Sequence, residues 1–293
     1  MSLDPALARF TRRVPRFRGW HRLLEPLRLH YVRKYAGRAD RWIVIDDFEG
    51  DLRMKLDRSA LMASVIYWRG IHSYSEATLV RRLLPEDGVF LDIGANQGEL
   101  TLIAARKAPR GRVYAFEPVP IWFELLSENV RLNSFTNVEL VNLALSDREG
   151  EQVMYSASGA PGDEGFHEGL STFRQAEGLE SRIGAFPMLR LDRFAEREQL
   201  GRIDLVKMDV EGAENLVLAG GAEVLARHRP AIVLEWNPVA LTGMGSSGEE
   251  LFDRLGTLGY ECCEVDPFAR VRKLLPGELP RYDTLLARHA TCR

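Results

Sequence analysis

Short apolar segments alternate with longer amphipathic ones through the middle of the chain. Five apolar runs have the length and composition of buried strands: Gly88–Asp92, Arg112–Phe116, Val138–Leu143, Leu205–Met208 and Ala231–Leu234. Helical segments follow the first two runs, one ending at Lys107 and the other covering residues 120–132. Strands that alternate with helices are typical of a parallel sheet covered on both faces, so the pattern predicts an α/β fold.

The segments on either side of this alternation have different patterns. Residues 42–57 predict two short strands around a turn at Phe48–Gly50, and Glu76–Leu84 predicts a helix. Near the end of the chain, Tyr260–Val265 and Tyr282–Ala287 predict two strands with no helix between them. Strands joined without a helix can pair in opposite directions, so we expect this last pair to be antiparallel.

The N-terminal arm, residues 1–41, interleaves apolar residues with arginines. Pro15 and Pro26 are expected to break it into short helical pieces. We favour the interpretation that the arm packs its apolar side on the domain or on a second copy in a homo-oligomer. The alternative is an amphipathic arm that makes a peripheral contact with a membrane surface.

Residues 156–186 interrupt the alternation with a polar, glycine-rich insert, which predicts a long loop acting as a lid over a site. The chain therefore divides into three predicted parts. They are the basic helical arm at 1–41, a β-hairpin and cap at 42–75, and the main domain at 76–293 with this insert.

Composition and charge narrow the class of protein. With 293 residues, 45% of them hydrophobic, the chain can bury the core of one large domain. The net charge of −3 conceals an arm of +8 and a remainder of −11. So acidic a body argues against a nucleic-acid partner, because binding phosphates needs clustered positive charge. The sequence shows neither a membrane-spanning run nor a secretory signal, which favours the cytoplasm.

The segment VFLDIGANQGEL, residues 89–100, carries the clearest sign of a cofactor. A strand ends at Asp92, and a turn with Gly94 and Gly98 opens the next helix. Asn96 stands where the dinucleotide-binding motif has its middle glycine, and the acid at the strand end would repel a pyrophosphate. The segment therefore disfavours a dinucleotide and suits a cofactor with a cationic or amino-acid group.

The second strand of the alternation ends in another acid, Glu117, nineteen residues after Gly98. In folds of this type an acid at that distance binds the two hydroxyls of a ribose. Together the two strand ends predict a nucleoside cofactor without a diphosphate.

Five motifs occur in a fixed order: DIGANQG, FEP, ALSD at Ala144–Asp147, KMDVEGAE at Lys207–Glu214 and IVLEWNP at Ile232–Pro238. This set resembles the FkbM family of S-adenosylmethionine-dependent O-methyltransferases. The resemblance implies the class I methyltransferase fold, a mostly parallel seven-stranded sheet with helices on both faces and an antiparallel last strand. It also implies the cofactor-binding residues, which are Asp92, Gly94, Ala95, Asn96 and Gly98 for methionine and ribose, Glu117 for the ribose hydroxyls, and Asn142 and Ala144 near the adenine.

The candidate catalytic residues come from the later motifs. Asp209 and Glu235 end neighbouring predicted strands, and Asn237 follows two residues after Glu235. Three such oxygen ligands suit a hard cation such as Mg²⁺ bridging to a substrate hydroxyl. The alternative is that Asp209 and Glu235 act without metal, one removing a proton and the other orienting the acceptor.

Four further residues complete the candidate set. Glu211 is either catalytic or an N-terminal cap of the following helix. Lys207 lies in an apolar strand, where a charge needs a partner such as Asp209 or another acid of the site. His72 and His167 are possible bases, although each is more simply a solvated loop histidine.

These residues predict an O-methyltransferase that modifies a hydroxyl of a sugar, glycan or polyketide-like metabolite. One alternative is a membrane-associated methyltransferase of a nitrogen or lipid-linked acceptor. Another, from a different class, is an NAD-dependent oxidoreductase, which the missing glycine and Asp92 disfavour. The last is a non-catalytic scaffold that keeps the nucleoside pocket, disfavoured by the acids at 209 and 235.

Overall fold

The computed structural model describes residues 4–14, 20–156, 171–172 and 181–291. The helices in these ranges are α1 Asp4–Arg13, α2 Trp20–Tyr35, α3 Leu61–Arg69, α4 Tyr74–Leu83, α5 Glu99–Lys107, α6 Pro120–Leu132, α7 Leu191–Arg197, α8 Glu214–Gly220, α9 Ala222–His228, α10 Pro238–Gly243 and α11 Gly248–Thr257. The strands are β1 Trp42–Phe48, β2 Leu52–Asp57, β3 Val89–Ile93, β4 Arg112–Phe116, β5 Val138–Val141, β6 Ala144–Leu145, β7 Gly150–Ser156, β8 Ser171–Thr172, β9 Ser181–Leu189, β10 Leu205–Met208, β11 Ala231–Glu235, β12 Tyr260–Val265, β13 Val271–Lys273 and β14 Thr284–His289.

The main sheet has the strand order β13-β12-β14-β11-β10-β3-β4-β5. Strands β11, β10, β3, β4 and β5 are parallel, and β14 runs antiparallel to both of its neighbours. Without β13, this is the class I methyltransferase arrangement, and the predicted α/β fold is confirmed. The sheet has eight strands in the described part of the chain rather than seven, because β13 adds an antiparallel edge to β12.

The central strands are mostly apolar because both of their faces are covered, and their charged members, Asp92 on β3 and Lys207 on β10, lie at the site described below. On β3, Phe90 packs into the core beneath α4 and α5, whereas the next residue, Leu91, packs into the core on the opposite face. Leu205 and Val206 of β10 alternate in the same way. Continuous apolar runs of this kind distinguish a two-sided parallel sheet from a sheet with one solvated face.

The N-terminal arm packs on the domain through α3. Helices α1 and α2 both contact α3, with the ring centroids of Tyr31 and Trp68 4.9 Å apart and Val32 2% exposed. The predicted break at Pro26 is wrong, because α2 continues through this residue. An internal proline costs a helix about 3 kcal/mol, so the packing of α2 on α3 outweighs it here.

Several arginines of the arm are neutralised within the molecule rather than left in solvent. Arg12 on α1 lies 2.7 Å from Asp47 of the hairpin formed by β1 and β2. The buried Arg28 on α2 lies 2.5 Å from Glu25 and donates a 2.7 Å hydrogen bond to Ser64 of α3. Part of the positive charge of the arm is therefore neutralised by ion pairs within the molecule, and these contacts hold the arm in place.

A second sheet, with the order β6-β9-β7-β8, borders the insert predicted at 156–186, and most of that insert, including the predicted lid, lies outside the described residues. The ends of that segment continue strands β7 and β9, and residues 157–170 and 173–180 lie outside the described residues. Met154 and Phe186 of this sheet pack against Val119 and Trp122 at the start of α6. Sequence patterns missed β7 and β9, which lie on either side of the glycine-rich insert, and β9 also contains a proline.

Candidate functional site

A cavity opens at the carboxyl ends of β3, β4, β10 and β11, where parallel α/β sheets bind ligands. Eleven of the candidate residues from sequence line it: His72, Asp92, Gly94, Ala95, Asn96, Glu117, Ala144, Lys207, Asp209, Glu211 and Glu235. The structure therefore brings together the candidate cofactor residues and the candidate catalytic residues.

The turn after β3 passes very close to the turn after β10. Gly94 has a φ of +77°, and a Cβ atom built on it would lie 2.0 Å from the carbonyl oxygen of Asp209. Only glycine fits this position, because any side chain would collide with backbone. The close approach sets Asp92 and Asp209 at one end of a single cavity.

Glu117 fixes the far wall of the cavity. Its two carboxylate oxygens accept hydrogen bonds from the backbone N–H groups of Asn96 and Val119, each at 2.9 Å. Burial raises the pKa of Glu117 to about 7, although both hydrogen bonds oppose the shift. This carboxylate therefore joins the glycine turn to the segment that precedes α6.

Asp92 is 1% exposed and has one oxygen available to a ligand. Its Oδ2 accepts a 2.5 Å hydrogen bond from Thr101, whereas its Oδ1 receives no hydrogen bond. Burial raises the pKa of Asp92, and the positive charge of Lys207, 3.6 Å from Oδ1, opposes that effect. A buried acceptor of this kind is costly unless a ligand donates to it, so its position suits a cofactor with a donor group.

Lys207 is the buried cation among these acids. Its Nζ donates hydrogen bonds to the carbonyl oxygens of Gly94 at 2.6 Å and Ile93 at 3.3 Å, and it lies 3.9 Å from Asp209. Burial by itself lowers the pKa of Lys207, but the carboxylates of Asp209, Asp92 and Glu117 raise it above its ordinary value. The expected pairing of this lysine with site acids is thus present, and the lysine also holds the glycine turn.

Three acids form the other side of the cavity. Burial and then the charge of Asp209 raise the pKa of Glu211 to about 9 and that of Glu235 to about 8. The Oε2 atom of Glu235 is buried without a hydrogen-bond partner, and the side chain of Asp209 is 44% exposed. Burial and the nearby negative charge of Asp209 therefore keep Glu211 and Glu235 protonated at pH values where isolated carboxyls would have lost their protons.

Three predicted site residues lie behind the cavity wall. Gly98, with a φ of +94°, begins α5 beside Leu126. Asn142 donates to the carbonyl oxygen of Glu117 at 2.8 Å, and the carboxamide oxygen of Asn237 accepts from Ala240 at 3.1 Å. These residues shape the cavity, but they do not line it.

Asn237 does not fit the predicted metal site, because its oxygen caps α10 instead. Within residues 4–14, 20–156, 171–172 and 181–291, no three or more His, Cys, Asp or Glu side chains are grouped to hold a metal ion. The capping role considered for Glu211 is not observed, because α8 has no side-chain cap at its N-terminus. Instead, Oε1 of Glu214 accepts from the N–H groups of Val210 at 3.2 Å and Gly212 at 3.4 Å in the turn before the helix.

The cavity also includes residues that sequence reasoning did not select. Glu99 is buried at the first turn of α5 and accepts from the backbone N–H groups of His72 at 2.6 Å and Ser73 at 3.1 Å. These contacts fix the backbone of His72, a possible base from the sequence, at the cavity wall, while the residue remains exposed in its loop as the simpler interpretation expected. The second candidate base, His167, lies outside the described residues.

Other lining residues come from distant parts of the chain, namely Met62 of α3, Trp122 of α6 and Met154 of β7. No sequence signal connects these elements with the glycine turn. Gln97 and Glu99, in contrast, lie beside that turn, and their position could have singled them out. Both side-chain polar atoms of Gln97 are buried without a hydrogen-bond partner.

The proteins to which this chain is similar are methyltransferases. A model described as the methyltransferase FkbM domain matches residues 92–262, more than half of the chain. Methyltransferase sdnD of Sordaria araneosa is 32% identical over 178 residues, covering 53% of this chain and 69% of that protein. The 2-O-methyltransferase NoeI of Sinorhizobium fredii is 31% identical over 159 residues, covering 52% of this chain and 64% of that protein.

Two further matches carry the FkbM name. The 31-O-demethyl-FK506 methyltransferase FkbM of Streptomyces tacrolimicus is 32% identical over 160 residues, covering 47% of this chain and 60% of that protein. The crystal structure of methyltransferase FkbM from Methylobacillus flagellatus is 14% identical with a TM-score of 0.43, covering 92% of this chain and 60% of that one. The matched segments thus span roughly two thirds of these proteins.

Proposed function

The chain belongs to the FkbM family of S-adenosylmethionine-dependent methyltransferases, and we propose that it methylates a hydroxyl group of a sugar, glycan or polyketide-like small molecule. One observation carries the proposal. The cavity joins a nucleoside-type set of residues, the glycine turn with Asp92 and Glu117, to the acids Asp209, Glu211 and Glu235. Family membership also excludes the NAD-dependent oxidoreductase.

The names of the relatives support an oxygen acceptor. NoeI is named a 2-O-methyltransferase, and the Streptomyces tacrolimicus protein is named for the 31-O position of its substrate. A third relative, from Haloferax volcanii, is named a hexuronic acid methyltransferase. These three names favour hydroxyl chemistry on sugars and metabolites over a nitrogen acceptor.

In this proposal the cofactor supplies an electrophilic methyl group and the chain supplies position and charge. Asp92 and Glu117, with the backbone of the glycine turn from Gly94 to Asn96, hold the amino-acid and ribose groups. Lys207 keeps that turn in place and balances the charge of the surrounding acids. The remaining task, common to all hydroxyl acceptors, is to hold the hydroxyl in line with the methyl group and to remove its proton.

On the opposite side of the cavity, Asp209 is the proposed proton acceptor. Glu211 and Glu235, whose pKa values of about 9 and about 8 keep them protonated near neutral pH, are proposed to orient the acceptor. Asp209 lies partly in solvent and can pass a proton to water, whereas Glu211 and Glu235 are more enclosed. His72 is the alternative base, because Glu99 fixes its backbone in the same wall. Comparing the variants Asp209→Asn and His72→Gln distinguishes the two candidate bases. The variant that removes the true base should have a kcat about 100-fold or more lower, while it still binds S-adenosylhomocysteine.

The test begins with cofactor binding and proceeds to product. Isothermal titration of the purified chain should show binding of S-adenosylhomocysteine but not of NAD, and Asp92→Asn should abolish it. Asp87→Asn, at an exposed acid that pairs with Arg202, is the matched control and should bind normally. Mass spectrometry of reactions with sugars, glycans and polyketide-like metabolites should then reveal a product heavier by one methylene group.

Two results would overturn the proposal. Binding of NAD and not of S-adenosylhomocysteine in the titration would contradict the assignment of the cofactor. Methylation confined to amine acceptors, in a panel that contains both amines and alcohols, would contradict the oxygen acceptor and favour the nitrogen alternative.

A further inference from the structure

The turn between β3 and α5 buries a carboxamide that has no partner in the described part of the chain. Gln97 is 2% exposed and lines the cavity. Neither its Nε2 nor its Oε1 makes a hydrogen bond to the described residues. Leaving a buried amide unpaired costs about 1–3 kcal/mol, so folded proteins rarely keep one without a reason. A ligand that enters this cavity can supply the missing partner.

The backbone of Gln97 is fixed on both sides. Its N–H donates to Oδ1 of Asn96 at 2.6 Å, and its carbonyl oxygen accepts from Nδ2 of Asn129 at 2.8 Å. Asn129 lies on α6, is fully buried and also accepts from the backbone N–H of Lys55 on β2 at 2.7 Å. Because these contacts already order the backbone, less conformational entropy is lost when the side chain of Gln97 binds a ligand.

The chemistry of the proposed cofactor supplies a partner for this amide. S-adenosylmethionine ends in an amino acid, which carries an ammonium group and a carboxylate. The unpaired Oδ1 of Asp92 suits the ammonium group. The carboxylate needs hydrogen-bond donors, yet six of the described residues that line the cavity are Asp or Glu. A carboxylate on the ligand must therefore find a donor among the few lining residues that are not acids.

Two other donors in the cavity wall already have partners. Nζ of Lys207 donates to the carbonyl oxygen of Gly94 at 2.6 Å. The backbone N–H of His72 donates to Glu99, also at 2.6 Å. The amide hydrogens of Gln97, in contrast, are available. Turning a carboxamide by half a turn exchanges its nitrogen and its oxygen, so Nε2 can face a ligand on either side.

The amide of Gln97 also lies at the positive end of a helix. Gln97 directly precedes Gly98, the N-cap residue of the nine-residue helix α5, and glycine has no side chain with which to cap a helix. The partial positive charge at a helix N-terminus favours an anion there. An unpaired buried donor and a helix N-terminus thus both point to an anionic group beside Gln97.

We infer that the side chain of Gln97 binds the carboxylate in the amino-acid portion of the cofactor, with Nε2 as the donor. The inference rests on the function proposed above, because it takes S-adenosylmethionine as the cofactor. It gives Gln97 a part in binding that the acids Asp92 and Glu117 cannot play, since an ionised carboxyl group repels an anion and a carboxamide does not.

The test compares two ligands that differ in the amino-acid portion. S-adenosylhomocysteine carries it, and 5′-methylthioadenosine has the same nucleoside and a thioether sulfur without it. Isothermal titration gives the dissociation constant of each for the wild-type chain and for Gln97→Met, which keeps a side chain of similar length and removes its donors. For S-adenosylhomocysteine the constant should rise at least about tenfold, as expected when a hydrogen bond to a charged group is lost. For 5′-methylthioadenosine it should change less than about twofold, because no such bond is lost.

Thermal melting separates a binding role from a structural one. In the ligand-free protein the amide of Gln97 has no partner to lose, so Gln97→Met should melt at the wild-type temperature or above it. Gln199→Met, at an exposed glutamine that does not line the cavity, is the matched control and should bind both ligands as the wild-type chain does. A lower melting temperature of Gln97→Met, with equal loss of affinity for both ligands, would show that Gln97 only supports the turn and would overturn the inference.

The remaining outcomes separate this inference from the proposed function. If the wild-type chain and Gln97→Met bind S-adenosylhomocysteine equally well, Gln97 does not bind the carboxylate and the methyltransferase proposal stands. Equal affinities of the wild-type chain for the two ligands would have the same meaning. If the wild-type chain does not bind S-adenosylhomocysteine at all, the proposed function fails and the role of Gln97 falls with it.

Discussion

At the scale of single residues, the site depends on one buried cation among several acids. Lys207 contacts the backbone of β3 and the turn after it, and it lies within 4 Å of both Asp92 and Asp209. Removing one member of such a network leaves uncompensated charge in a buried place. Lys207 therefore affects both stability and cofactor binding.

Lys207→Met should lower the free energy of unfolding by about 3 kcal/mol and weaken S-adenosylhomocysteine binding at least tenfold. Asp92 and Asp209 lose their positive partner, and the carbonyl of Gly94 loses its donor. Thermal melting and calorimetric titration measure the two effects. Lys273→Met, at an exposed surface pair with Glu261, is the control and should change neither. An unchanged affinity in Lys207→Met would contradict this role.

Metal dependence is also decided at the residue scale. Asn237 caps a helix, which leaves Asp209 and Glu235 as the remaining members of the predicted ligand set. We therefore expect methyl transfer to continue at its full rate after exhaustive EDTA treatment. The measurement is the initial rate before and after EDTA, with Mg²⁺ added back as the control. A loss of rate that Mg²⁺ restores would show that these carboxylates do bind a metal.

At the scale of elements, helix α2 has one buried and one solvated face. Val32 is 2% exposed against the domain, whereas Leu23 is 67% exposed on the same helix. This difference explains why α2 stays helical through Pro26, since tertiary contacts outweigh the local penalty. It also makes the docking of the arm testable with one pair of substitutions.

Val32→Asp should lower the free energy of unfolding by at least about 2 kcal/mol, because it buries an unpaired charge. Leu23→Asp should change it by less than about 0.5 kcal/mol. Urea unfolding followed by circular dichroism measures both. If the two variants were equally stable, α2 would not be docked on the domain in solution, and the peripheral membrane contact would become the better interpretation of the arm. No helix in the described ranges of the chain is long and apolar enough to span a membrane.

At the scale of the whole molecule, the fold concentrates acids where their protonation affects stability. Burial is the first cause that raises the pKa of both Glu117 and Glu214 to about 7, from an ordinary value of 4.5. The folded chain therefore binds more protons than the unfolded chain between these two values. Because stability falls with rising pH wherever the folded state binds more protons, the ligand-free protein loses stability from about pH 4.5 to 7.

The loss should amount to roughly 2–3 kcal/mol for each of these two groups. Thermal melts at pH 5, 6, 7 and 8 measure it. Glu117→Gln combined with Glu214→Gln should make the dependence on pH less steep, and the part that remains comes from Glu211 and Glu235, whose pKa values are raised to about 9 and about 8. Glu86→Gln, at an exposed acid on the surface, is the control and should leave the pH dependence unchanged. A wild-type melting temperature that rises over this range would contradict the raised pKa values.

Much of the fold follows from local patterns. The sequence predicted β4, β10 and β12 at their observed bounds. The runs for β4 and β10 were recognisable because strands covered on both faces of a sheet are mostly apolar. The glycine turn and Glu117 identified the cofactor side of the cavity, because strand ends and turn glycines are local features. Patterns were less informative for the second sheet, whose short and partly polar strands become stable only through Met154 and Phe186 packing on α6.

The sequence by itself determined the α/β class, the family and the acids that stand at the strand ends. Each of these depends on neighbours in the chain. Tertiary structure alone decided that α2 passes through Pro26, that Asn237 caps a helix, and that His72 and Met62 reach the cavity. These outcomes depend on contacts between distant segments, whose energies appear only when the sheet has brought the segments together.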